Sequence, residues 1–168
     1  MPVRRKRRQQ NLMRPRTVFG SWLRAFLLRQ HELRDRLVGQ LNDAKTGWNR
    51  DEAGVMQAVC VLAVNVHFVP DYDMRAITNF ASRIRAAEQY GGRTPHGLLE
   101  IEAVIRHALG EKDVDISGIS ADVAYEVQGA VAAAIAWESG FTESQIDELI
   151  IEAERMAFAH GWNPPLAP

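Results

Sequence analysis

The sequence predicts an all-α protein: a compact bundle of about six helices around one buried helix, with a basic arm in front. Three observations carry that prediction. Residues 55–69 are interrupted only by Gln57, Asn65 and His67, so the stretch is apolar on every side and belongs at the centre of a core. The segments around it repeat apolar residues at spacings of three and four, which gathers them on one helix face. Glycine or proline closes most of these segments, and Ser, Thr, Asn or Asp opens them, the stop and start chemistry of helices.

Composition bounds the answer. At 168 residues, 46% hydrophobic and 24% charged, the chain fits one globular soluble domain. A chain of that length buries about 70% of its unfolded surface. No apolar run reaches the roughly 20 residues of a membrane span. The single cysteine, Cys60, excludes an internal disulfide and fits a reducing compartment, so a cytoplasmic setting is expected. No apolar segment with a small-residue cleavage site follows the basic start, so no secretory signal is expected. The first 31 residues are acid-free and Arg-rich like a mitochondrial presequence, but they hold one Ser and one Thr, and a transit peptide is not expected.

The formal charge of −1 hides a split. Residues 1–16 hold Arg4, Arg5, Lys6, Arg7, Arg8, Arg14 and Arg16 with no acid, +7 in all. Residues 86–168 hold four bases against fourteen acids, −10. An electrostatic tail on an acidic body is implied. Like charges packed from Arg4 to Arg8 repel one another, and the neighbouring Gln9, Gln10 and Asn11 have nothing to bury. Residues 1–16 therefore read as a flexible arm before a single helical domain, 17–168.

The helices follow in order. Leu23, Phe26, Leu27, Leu33, Leu37 and Leu41 make one stripe from Ser21, a candidate cap, to about Asn42. Trp22 and Phe26 near its start admit a membrane-surface role, but packing on its own domain or on a twin subunit fits better. Asn49 with Glu52 resembles a capping box that launches the central helix, which Pro70 ends. The valines admit a buried strand; the cap, the length and the helical surroundings favour helix, with Leu62 and Val64 buried. Asp71 or Asp73 starts a helix burying Ile77, Phe80, Ala81, Ile84 and Ala87, stopped by Tyr90-Gly91-Gly92. Thr94-Pro95 restarts the chain, with Leu98, Ile101, Ile105, Ala108 and Leu109 as the next stripe up to Gly110. Ser120 caps a helix carrying Val123, Val127, Ala130, Val131 and Ala134, ending near Gly140. Thr142 caps the last, which buries Ile146, Leu149, Ile150, Ala153, Met156 and Ala157 and ends at Gly161. The tail from Trp162 to Pro168 is too proline-rich for helix.

A shift of 69 residues superposes Leu62 on Val131, Val66 on Ile135, Phe68 on Trp137, Ile77 on Ile146, Phe80 on Leu149 and Ile84 on Ala153, suggesting two related helical hairpins. The Ala-rich helix, Gly turn and acidic helix from Ala132 to Leu149 also resemble a TerB-like hairpin. The acidic turn residues of that family are missing, so the resemblance assigns no residue a role.

Candidate sites weigh against catalysis. Asp113-Val114-Asp115-Ile116-Ser117-Gly118 matches the front half of a calcium loop, but position twelve is Ala124 where a bidentate carboxylate is needed. His96, Glu100 and His107 would share one helix face, with the histidines about 16 Å apart, too far for one metal ion. His67 reads as a structural histidine rather than a general base, and Cys60 as a small core hydrophobe. Phe141 to Ile146 resembles a helix-turn-helix entry, yet the pattern runs unbroken to His160 without the needed turn. Neither a glycine-rich phosphate loop nor zinc spacing occurs. No cofactor, metal site or catalytic residue is expected. The expected function is a non-enzymatic binding protein whose arm (Arg4, Arg5, Lys6, Arg7, Arg8, Arg14, Arg16) contacts phosphates of nucleic acid or a nucleoprotein assembly. The alternative is an adaptor whose arm docks on an acidic surface of a partner or neighbouring subunit, with oligomer formation through the 21–42 helix.

Overall fold

Local chemistry sets the ends of seven helices among residues 14–43 and 50–168, the part of the chain that the computed structural model describes. They are α1 Val18–Leu27, α2 His31–Asp43, α3 Arg50–Phe68, α4 Met74–Tyr90, α5 Leu98–Ala108, α6 Ala121–Glu138 and α7 Glu143–Ala159. No strand occurs among the described residues, and the all-α expectation holds. None of the helices there is long and apolar enough to cross a membrane.

The count is seven rather than six because the expected 21–42 helix is two helices. Arg29 takes a left-handed φ of 57° and ends α1. Its N–H donates to the Phe26 carbonyl at 3.1 Å, and the Gln30 N–H donates to the Ala25 carbonyl at 2.8 Å. That bond pair is a Schellman stop, usually built on glycine. Gly92, Gly110, Gly140 and Gly161 also have positive φ and stop α4, α5, α6 and α7.

Helix starts depart from the sequence expectation more than stops do. Thr17, not Ser21, caps α1: its Oγ1 accepts the Gly20 N–H at 2.8 Å, while Ser21 Oγ donates to the Thr17 carbonyl. Asp73 caps α4 and Ser120 caps α6. Thr142 and Gln145 form a reciprocal capping box on α7. The expected box at Asn49 lies outside the described residues. The restart at Thr94-Pro95 is displaced to Leu98, where the Glu100 carboxylate accepts the Gly97 N–H at 3.0 Å. Residues 93–97 are non-helical because Glu88 binds the backbone of His96, as described below.

The chain divides into two compact units, Met1–Val59 with Gly140–Pro168, and Cys60–Ser139. In the first, α1 packs on α2 and α7. Its core holds Phe19, Leu23, Val55, Met56, Val59, Ile146, Ile150 and Ala153. In the second, α5 packs on α4 and α6, around Val64, Ile77, Phe80, Ile101, Ile105, Val131 and Ile135. Burying each of the Val, Leu, Ile, Phe and Met side chains among these contributes about 1.5–3 kcal/mol. Val55, Val59, Ala63 and Val64 are fully buried as the apolar run demands. Leu62 is only half-buried, and Val66 is 66% exposed. Nineteen residues of helix turn through every direction, and α3 is not enclosed on all of them. Ala87, expected on the buried face of α4, is exposed; the position beside it, Glu88, is buried instead.

The 69-residue shift carries α4 onto α7 end for end, Asp73 cap onto Thr142 cap. Buried Ile77, Phe80, Ala81, Ile84 and Glu88 fall on buried Ile146, Leu149, Ile150, Ala153 and Ala157. The buried position of α7 without a buried counterpart is Glu154.

Candidate polyanion-binding site

Of the seven expected arm contacts, Arg4, Arg5, Lys6, Arg7 and Arg8 lie outside the described residues. Arg14 and Arg16 lie within them and are exposed. Between and beside these two the chain is already part of the fold: Pro15 and Thr17 are buried.

Glu154 explains why. Its side chain is buried, and a buried carboxylate must find donors. Oε2 accepts the Arg16 N–H at 2.8 Å, while Oε1 accepts the Thr17 N–H at 2.8 Å and the Thr17 hydroxyl at 2.7 Å. Gly20 makes room, since a Cβ there would collide with Glu154 Oε1. The C-terminal tail closes over the same segment. The Ala167 N–H donates to the Arg16 carbonyl at 2.8 Å, and the Val18 N–H to the Pro165 carbonyl at 3.0 Å. Residues 16–17 are thus tied to α7 and to the C-terminal tail.

Beside this anchor lies a groove of about 810 Å³. Arg14 and Arg16 line one part of it, Leu33 and Leu37 of α2 another, and Leu166 of the tail a third. Arg24 also lines it, but its guanidinium is already paired with Glu143 and Asp147. The Arg16 guanidinium sits 5.6 Å from the Phe158 ring centre, a cation–π contact that leaves its charge uncancelled. Neither the Arg14 nor the Arg16 guanidinium has a carboxylate partner among the described residues.

The other candidates resolve differently. His96 is not on α5 with Glu100 and His107; it precedes the helix, so the expected shared face does not exist. Its ring lies between two carboxylates that the spacing did not suggest. Nδ1 is 2.6 Å from Glu88 Oε1, and Nε2 is 3.1 Å from Glu126 Oε2, while the His96 N–H donates to Glu88 Oε2 at 2.9 Å. Burial pulls the imidazole pKa down, and the two carboxylates outweigh it, leaving a net rise above 6.5. Partners 8 and 30 residues away follow no helical period, which is why the triplet was illegible.

His67 is exposed, packed edge-on to Phe68 and tilted against Phe80. Burial lowers its pKa, with Glu138 opposing and Arg83 adding to the fall. Cys60 is fully buried, and burial pushes its thiol up to about 12, so it behaves as a hydrophobe. In the calcium-like loop, Asp115 is engaged locally. Its carboxylate accepts the Ser117 N–H at 2.8 Å and the Ser117 hydroxyl at 2.9 Å, which holds its pKa below the usual range. No group of three His, Cys, Asp or Glu side chains is placed to hold a metal ion among the described residues. Against known protein families, curated proteins and solved structures, the chain shows no significant match.

Proposed function

We propose that this is a non-enzymatic binding protein whose N-terminal arm engages the phosphates of nucleic acid or of a nucleoprotein assembly. The observation that carries the reading is the anchoring of a +7 segment at its root. Glu154 and the tail hold residues 16–17 in place, and the arginines at this anchor, Arg14 and Arg16, are exposed. A contiguous row of bases without an apolar anchor suits a uniform line of phosphates better than a shaped protein surface. The same reading sets the protein in the cytoplasm, in keeping with one buried thiol.

A second reading is an adaptor or assembly module whose arm meets an acidic protein surface. It is favoured by the −10 carried by residues 86–168, which a neighbouring copy could present, and by α2, which packs on α1 and leaves Val38 exposed for an oligomer contact.

Salt titration of duplex binding tests the first reading. Seven phosphate contacts give a log–log slope of about −6, and removing residues 2–13 leaves a slope of about −2 from Arg14 and Arg16. The deletion stops at residue 13 so that the Glu154 clamp survives. Binding that keeps its slope without residues 2–13 overturns the reading. Salt-sensitive self-association, competed by nucleic acid, supports the second.

A further inference from the structure

We propose that the groove beside Arg14 and Arg16 is a docking site for an acidic amphipathic segment of a protein partner, which competes with phosphates for these two arginines. Its walls differ in chemistry. Leu33 and Leu37 stand one helical turn apart on α2, half-buried, and with Leu166 they give an apolar side. Arg14 and Arg16 give an exposed cationic side, their guanidinium groups without a carboxylate partner among the described residues. A segment with apolar residues one turn apart and carboxylates on its flank matches both sides, as an amphipathic helix does when it lays its apolar face in a groove.

Other occupants fit less well. The chain's own residues 4–8 are all basic and would meet Arg14 and Arg16 with like charge. A single nucleic-acid strand would find cations, but the groove offers aliphatic walls where base stacking calls for aromatic rings.

The test is fluorescence anisotropy on the full chain with labelled probes. These are a helical peptide bearing Glu with Leu at i, i+4, a scrambled peptide of the same composition, a Lys-for-Glu counterpart, and a single-stranded oligonucleotide. The Glu–Leu peptide should bind saturably and the scrambled and Lys peptides should not. Arg14→Gln with Arg16→Gln changes exposed side chains only and should weaken binding tenfold or more. Leu37→Glu should do the same, with circular dichroism checking that the fold survives. Equal binding of the scrambled peptide, indifference to the arginine pair, or no saturable binding overturns the proposal. So does an oligonucleotide that binds through Leu37 where the peptide does not. A concentration-dependent dimer lost in Leu37→Glu, without peptide binding, reassigns the groove to a second copy and overturns it equally.

Discussion

The carboxylate of Glu154 accepts both the backbone N–H and the hydroxyl of Thr17, across 137 residues of sequence. The same Thr17 hydroxyl accepts the Gly20 N–H, so one threonine joins the start of α1 to the middle of α7. The clamp uses charge-assisted bonds in a buried site, where each is stronger than in water.

Glu154→Gln should cost about 1–3 kcal/mol, because the amide nitrogen faces donors that the second carboxylate oxygen had accepted. Urea denaturation measures the loss. Trypsin supplies an independent reading: cleavage after Arg16 should be slow in the parent and fast in the variant. Unchanged stability together with unchanged cleavage would deny the clamp.

Two helical glycines should respond in opposite directions. A Cβ on Gly39 meets nothing within 4 Å on exposed α2, so Gly39→Ala should stabilise by up to about 1 kcal/mol. A Cβ on Gly54 would fall inside the Trp162 ring, and Gly54→Ala should cost about 1–3 kcal/mol despite the same gain in propensity. Adding Trp162→Leu should recover part of that loss, and thermal melts of the four proteins decide it.

His96 should make stability depend on pH. Only the imidazolium donates from both ring nitrogens to Glu88 and Glu126. Its folded pKa lies above the ordinary 6.5, so the contribution is fully present below that value. It is lost as pH rises through the higher folded pKa. His96→Gln should flatten stability across this window. An imidazole NMR titration should place His96 above 6.5 and His67 below it.

In the core, Ile105→Ala should cost about 2–5 kcal/mol, lost transfer energy plus a cavity. Leu62→Ala should cost less, near 1–2 kcal/mol, since Leu62 is half-buried whereas Ile105 is fully enclosed. Denaturant midpoints of the two variants settle the order.

The stops were legible wherever glycine supplied the left-handed residue, at Gly92, Gly110, Gly140 and Gly161. Arg29 does the same work without any compositional sign, so α1 and α2 were read as one. Apolar periodicity marked Ile77, Phe80, Ile84, Ile146, Leu149 and Ala153 because those faces follow the helical period. Glu88 and Glu154 were missed because a buried carboxylate is justified only by donors that folding delivers, from His96 and from Thr17. The arm's charge was plain in the sequence; the tie of residues 16–17 to Glu154 was not.

A single dihedral decides whether the groove exists. Were residues 18–43 one helix, they would form a rod about 39 Å long, carrying Leu33 and Leu37 away from the arm's root. The left-handed φ of Arg29 returns α2 against α1 instead, and so brings an aliphatic surface beside Arg14 and Arg16. Arg29→Gly should preserve that return at lower conformational cost, whereas a β-branched residue there disfavours it. Recognition at this surface is thereby coupled to handedness at a residue outside the groove lining. Substitutions there would tune affinity while leaving the contacting side chains untouched.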